Sequence, residues 1–429
     1  MIIENALLPH SSELTCILIK DGVIEKISPR VDSTSLEGEE TIDAEGRLVS
    51  PPFIDPHVHL DAALMSTYLR PNRSGTLLEG IDIWSDCKKK ADKRTYQNHA
   101  RKVIEWYIAQ GTQYIRSHVD TTVPDQINIE AILDVREEFK GLVDIQLVAF
   151  PQDGIYTHPK GEEEMYRAME MGCDVVGGIP HNELTREDGV RDVEFVFKVA
   201  DAYARDGESA LIDIHCDETG DPQSRFVENM AKEAISRDNG NRVTASHVTA
   251  MHNYDNDYAF KLSGILKRSR VNIITNPFDN SFLMNRNDGY PRRRGHTRVD
   301  ELHTRGVNVG IGHDSVMDPW YPLGQGSMLQ AANLLLHTSH MTDDTQLPAL
   351  YDMITTHNSI ILGITDRYGI EVGKPGNLII LDAYSVFEAL RRMPDPCYSI
   401  HEGRIISRTE PRTHRILRNG KEVTITTRR

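Results

Sequence analysis

Apolar, β-branched runs recur through the middle of the chain at Phe53–His59, Tyr114–Val119, Ile145–Phe150, Val175–Ile179, Leu211–His215, Val243–His247, Val271–Asn276 and Val307–Gly312. Most of the intervals carry helix-like stretches, such as Arg94–Gln110, Gly161–Met171, Val190–Asp206 and Ser224–Ser236. Strands covered on both faces read as continuous apolar runs, and strands that alternate with helices form a parallel sheet. Eight such units predict an α/β chain built on a (β/α)8 TIM barrel. The rival architecture is an open doubly wound sheet, but no Gly-x-Gly-x-x-Gly follows the first strand. The two ends read differently. Thr15–Lys20, the Asp21-Gly22 turn and Val23–Ile27 form a hairpin pattern, and Asn377–Leu381 and Arg404–Ile406 repeat it near the C-terminus. Pieces this small predict one β domain assembled from both ends, residues 1–50 with 372–429, around a barrel of 51–371.

The charge balance narrows the partners. A net charge of −16 repels phosphate backbones, which argues against nucleic acid. Cys16, Cys87, Cys173, Cys216 and Cys397 are scattered and lack C-x-x-C spacing. That pattern fits a reducing cytoplasm and not a disulfide framework or a zinc-thiolate site. No basic-then-apolar leader opens the chain, and no apolar run approaches the roughly 18 residues a membrane span needs. The expectation is a cytoplasmic protein with no membrane partner.

Ionisable residues gather at the C-terminal ends of the predicted strands: His57 and His59 on the first, His118 and Asp120 on the second, His215 and Glu218 on the fifth, His247 on the sixth, His313 and Asp314 on the eighth. In a barrel those ends converge on one face, where active sites lie. Residues two apart in a strand share a face, so His57 and His59 can hold one ion together. His57, His59, His215 and Asp314 are the expected ligands, and three imidazoles with one carboxylate suit a divalent transition metal. Such an ion brings the pKa of bound water to about 7. Glu218 is placed to carry protons to substrate, and His247 to polarise the oxygen that forms at the attacked carbon.

Several stretches carry a resemblance over nearly the whole length. They are Pro51–Leu60, Ser74–Gly80, Val148–Gly154, His215–Glu218, Gln223–Phe226, Thr244–His247, Gly312–Asp314 and Asp318–Gly324. The chain resembles the amidohydrolase superfamily and, within it, the bacterial cytosine deaminases. The resemblance implies a barrel inserted into a β-sandwich and a single metal ion, zinc or iron. Binuclear relatives use a Lys at the end of the fourth strand; here that strand ends Gly178-Ile179-Pro180-His181. The resemblance further implies that Gln152 reads the substrate through its carboxamide, that the Leu77 backbone contacts the base, and that Trp320 walls the pocket. It implies hydrolytic deamination with Glu218, His247 and Asp314 as catalytic groups, and assembly as a homo-oligomer. Two departures bear on substrate. Ser315 and Met317 stand where the family carries Asp and Phe near carbon 5 of the pyrimidine, and Ala62-Ala63 replaces a Thr pair. A smaller, less polar space at carbon 5 predicts turnover of 5-methylcytosine as well as cytosine. Isocytosine, isoguanine, creatinine and triazine deamination, cyclic amide hydrolysis, and a metal-free scaffold are the competing readings.

Overall fold

Alternating apolar residues begin the N-terminal sheet. In the computed structural model, which describes residues 1–29 and 40–425, the chain starts with β1 (Ile2–Leu7), β2 (Leu14–Lys20), β3 (Val23–Ser28) and β4 (Thr41–Asp43). They pair in the order β3-β2-β1-β4, with β4 parallel to β1. The next strand, β5 (Val49–Ser50), crosses to another sheet. It pairs with β14 (Leu378–Leu381), which continues to β15 (Pro396–His401) and β16 (Arg404–Arg408). Ile3, Ile17, Ile19 and Ile42 of the first sheet and Val49, Leu378, Ile380 and Ile400 of the second share one buried cluster. Both chain ends thus supply strands to a two-sheet unit. A last hairpin, β17 (His414–Arg418) and β18 (Lys421–Ile425), joins neither sheet.

Between these ends lie eight parallel strands: β6 (Phe53–Val58), β7 (Thr112–Asp120), β8 (Asp144–Phe150), β9 (Val175–Gly178), β10 (Leu211–Cys216), β11 (Val243–His247), β12 (Asn272–Thr275) and β13 (Val309–Ile311). They hydrogen-bond in sequence order, and a parallel bridge from Val58 to Asp314 brings β13 back to β6. The result is the expected TIM barrel. Asp55 holds this seam: its Oδ1 accepts the amide N–H of His57 at 3.1 Å and of His313 at 3.0 Å. Helices follow the strands, among them α1 (Leu77–Cys87), α2 (Lys93–Ala109), α3 (Ile127–Glu138), α4 (Gly161–Met171), α5 (Arg186–Ala202), α6 (Phe226–Arg237), α7 (Asn256–Ser269) and α8 (Pro277–Leu283). Thr76, Asp92, Thr185 and Asp255 cap the N-termini of α1, α2, α5 and α7 through their side chains, as short oxygen-bearing residues do. No helix among the described residues is long and apolar enough to cross a membrane.

β6, β9, β12 and β13 each end one residue before the apolar run that predicts them, whereas β7 and β10 run one residue beyond. β6 stops at Val58, so His59 is the first residue beyond it, and β13 stops at Ile311. The residues that leave the ladder here are those that face the barrel mouth.

Candidate active site

Two strand ends turn sharply at the mouth. His247, the last residue of β11, has φ +71°, and Asp314, beyond β13, has φ +70°. Non-glycine residues reach this left-handed region at a cost of order 1–3 kcal/mol, and such strain collects at functional sites. Asp314 is held there by its own N–H, which donates to the His57 carbonyl at 2.8 Å, and by its carbonyl, which accepts from His59 N–H at 3.3 Å.

Three of the expected ligands meet in one cluster, and the fourth, Asp314, lies beside two of them and also groups with His247. One ring nitrogen from each of His57, His59 and His215 lies within 4.8 Å of the others. Asp314 Oδ1 is 3.6 Å from His57 Nε2 and 3.4 Å from His59 Nε2. His59 Nε2 and His215 Nε2 face each other at 3.2 Å. His57 Nε2 is buried without a hydrogen-bond partner. Burial holds His57 and His215 well below the ordinary imidazole range and His59 at about 4, so all three rings are neutral and offer lone pairs. Burial and the nearby carboxylates of Asp279, Glu218 and Asp318 push Asp314 far up. A cation between the rings answers both features: it takes the unused lone pairs and reverses the penalty on Asp314. The donor set therefore fits one divalent ion.

A relay behind His57 fixes which nitrogen faces the cluster. Ser246 Oγ donates to Asp213 Oδ1 at 2.6 Å, and Arg116 Nη1 donates to Asp213 Oδ2 at 2.9 Å. With its one hydrogen committed, the Ser246 hydroxyl accepts from His57 Nδ1, 2.9 Å away. The proton of His57 then sits on Nδ1 and the lone pair on Nε2 points into the site. His118, expected only as a strand-end residue, lies fully buried with its ring centroid 4.0 Å from that of His57; neither nitrogen is hydrogen-bonded, and its Nε2 lies 3.9 Å from Asp213 Oδ2.

In front of the cluster opens a pocket. Its lining includes His59, His215, His247, Asp314, Glu218, Gln152, Leu77, Ser315 and Trp320, all singled out from the sequence. Burial pushes the Glu218 carboxyl up to about 8. Its Oε1 lies 3.5 Å from His247 Nδ1, and Asn280 Nδ2 lies 3.0 Å from that same nitrogen. Gln152 is gripped by its main chain: its N–H donates to Asp120 Oδ1 at 3.3 Å and its carbonyl accepts from Asn182 Nδ2 at 3.1 Å. Asp120 is itself clamped by Lys88 Nζ at 3.2 Å and Trp84 Nε1 at 2.8 Å. The Gln152 carboxamide is left to face the cavity. Trp320 approaches α1 so closely that a Cβ on Gly80 would lie 2.4 Å from its Cδ1, which is why glycine stands there.

Two residues depart from expectation. Met317, expected at the pocket, has φ +54°, is 38% exposed and is not among the residues that line the cavity. Alternation along a strand does not apply past the strand end, so its position relative to Ser315 does not bring it inward. Ser315 does line the cavity, but its Oγ donates to Asp279 Oδ1 at 2.7 Å. The carboxylate missing at position 315 is thus supplied from α8. Asp279 and His181 are the ionisable cavity residues that the sequence reading passed over as site residues. Both follow strand ends, Asp279 four residues after β12 and His181 three after β9, and that placement was the available signal.

A sequence pattern of the amidohydrolase family matches residues 40–407, most of the chain. The chain belongs to the amidohydrolase family. This amidohydrolase is 30% identical over 420 residues to N-isopropylammelide isopropyl amidohydrolase of Pseudomonas sp. (strain ADP), covering 96% of this chain and 98% of that protein. It is 27% identical to pterin deaminase of Rhizobium rhizogenes, over 92% of this chain and 88% of that one. Among solved structures it is similar to 5-methylcytosine deaminase from Klebsiella pneumoniae liganded with 5-fluorocytosine. That match has 44% identity and a TM-score of 0.93, over 97% of this chain and 99% of the other.

Proposed function

We propose that this amidohydrolase is a hydrolytic deaminase of a cytosine-type free base, cytosine or 5-methylcytosine, that releases ammonia and leaves the uracil or thymine product. The observation that carries this is the cavity itself. A carboxamide, a proton-carrying carboxyl and a ligand set for one cation line a single pocket, in a chain 44% identical to a 5-methylcytosine deaminase. His57, His59, His215 and Asp314 would hold one divalent ion, zinc or iron. When bound, it supplies Lewis acidity that makes water a nucleophile at neutral pH.

The protein's own groups do the rest. The Gln152 carboxamide offers two donors and an acceptor, which match the NH–C=O edge of a neutral pyrimidine. The Leu77 backbone and the Trp320 ring bound the base on its other sides. Glu218 takes one proton from the attacking water and delivers it to the ring nitrogen beside the amidine carbon, so that carbon becomes tetrahedral. A pKa near 8 before any cation is present suits a group that must both accept and return a proton near neutrality. His247 hydrogen-bonds the new oxygen. Asp314 moves the remaining hydroxyl proton to the amine, the C–N bond breaks, and ammonia departs as the carbonyl forms. In the same proposal, the two-sheet unit of residues 1–50 and 372–429 is a domain distinct from the barrel of 51–371, and the protein is a cytoplasmic homo-oligomer. Five buried cysteines, none in a disulfide, fit that compartment.

A second reading is favoured by Asp279. A carboxyl beside Ser315 would accept from an additional ring N–H or amino group, as isocytosine or an aminotriazine presents. One experiment separates the two. Ammonia release and product identity are measured for cytosine, 5-methylcytosine, isocytosine, an aminotriazine and creatinine. Turnover of the first two above the others supports the proposal; ammonia from neither of them overturns it.

A further inference from the structure

Residues 404–429 hold seven arginines and one lysine against two glutamates, a net charge of +6, so the other 403 residues carry −22 of the chain's total of −16. Within this basic stretch stands the hairpin β17–β18. Its turn, Asn419-Gly420, has positive φ at both residues, 54° and 73°, the conformation whose twist matches paired strands. Among the described residues the hairpin pairs with no other strand, and all of its residues from His414 to Ile425 are exposed. Two strands alone are marginal in water, so a segment with so clear a turn signal implies a surface that completes it.

The register says what that surface is. Ile416 lies opposite Val423, His414 opposite Ile425, and Arg418 opposite Lys421. Side chains alternate across the ribbon, so Ile416, Val423 and Ile425 share one face, with His414, Arg418 and Lys421 around them. Their exposures are 45%, 38% and 39%. The other face carries the Arg415–Glu422 ion pair at 2.9 Å and Leu417. An apolar centre with a charged rim is the make-up of a protein–protein interface. A phosphate backbone would meet the rim and leave the centre wet. The complementary rim is acidic, and the rest of this same chain is strongly so.

We propose that the β17–β18 hairpin is an assembly arm that docks on the acidic surface of a second copy of this chain. This rests on the homo-oligomer reading above and assigns the surface that makes it. The test uses full-length protein, wild type and two double variants, Arg418→Glu/Lys421→Glu at the rim and Ile416→Asp/Val423→Asp at the centre. Mass is followed by light scattering across dilution series at low and high salt, with near-ultraviolet circular dichroism to confirm that the barrel is folded. The expected result is a wild-type assembly that weakens as salt rises and a dissociation constant raised about tenfold or more in each variant. A wild-type assembly whose mass neither variant changes overturns the arm and leaves the homo-oligomer standing. A monomeric wild type overturns both. A shift of wild type, but not of the rim variant, by a double-stranded DNA fragment assigns the arm a different partner and overturns the proposal.

Discussion

Replacing Ser246 by alanine removes one hydroxyl that touches no substrate, yet it should weaken metal binding. In the folded chain that hydroxyl accepts from His57 Nδ1 at 2.9 Å and donates to Asp213 at 2.6 Å. Without it, the buried Nδ1–H has no acceptor, a penalty of about 1–3 kcal/mol. The ring escapes the penalty only by moving its proton to Nε2, which takes away the lone pair that faces His59, His215 and Asp314. Either way the cost falls on the metal-bound state, and partners of this kind are worth about 10- to 100-fold in affinity, or roughly 1.4–2.7 kcal/mol. Asp213 keeps Arg116, so the barrel itself should hold. Metal affinity is measured by competition with a chromophoric chelator. Nitrogen-15 spectra of labelled histidine report the tautomer of His57. A Ser246→Ala protein that binds metal within about twofold of wild type would refute the relay.

Other substitutions separate the remaining roles. Glu218→Gln should lower ammonia release by about 10²–10⁴-fold while stabilising the metal-depleted protein above neutral pH. The sign follows from a folded pKa of about 8 against an ordinary 4.5: the stability tied to this group is fully present below 4.5 and lost as pH rises through 8. Urea melts of chelated wild type and variant from acid to mildly alkaline pH check this, and parallel pH profiles for the two would contradict it. Ser315→Asp places a second carboxylate beside Asp279 in the cavity, so kcat/KM for 5-methylcytosine should fall by about tenfold, since a methyl group is worth about 1–3 kcal/mol in a pocket. An unchanged or higher value for the variant removes Ser315 from substrate choice. Gly80→Ala forces Trp320 away from α1, because the new Cβ would lie 2.4 Å from its Cδ1. Overpacking of this kind costs about 1–3 kcal/mol, and KM should rise with little change in kcat; wild-type KM in a stably folded variant counts against Trp320 as a pocket wall.

The barrel was legible because most of its strands carry a short apolar run between helical stretches, and the expected ligands because strand ends in a barrel converge whatever their distance in sequence. Residues beyond the strand ends were harder to place. Met317 follows a left-handed Asp314 and is itself left-handed, so no periodic rule foretells its absence from the cavity lining. Asp279 lies on α8, outside the β12 run that drew attention, and reaches the cavity by the turn at Asn276-Pro277. Ser246 is an unremarkable serine until β11 sets it beside β10, where Asp213 takes its hydrogen. The C-terminal hairpin is another such case. Its Asn419-Gly420 turn signal was passed over in the sequence, and that the hairpin stands apart from both sheets depends on pairings no local pattern encodes.

The most direct test of a one-metal deaminase is a titration. Chelated protein receives zinc or ferrous iron in increments, and ammonia release from cytosine and 5-methylcytosine is read at each step. Activity should rise linearly and level off at one equivalent per chain. Activity that needs a second equivalent, or no ammonia from either base at any loading, would contradict it.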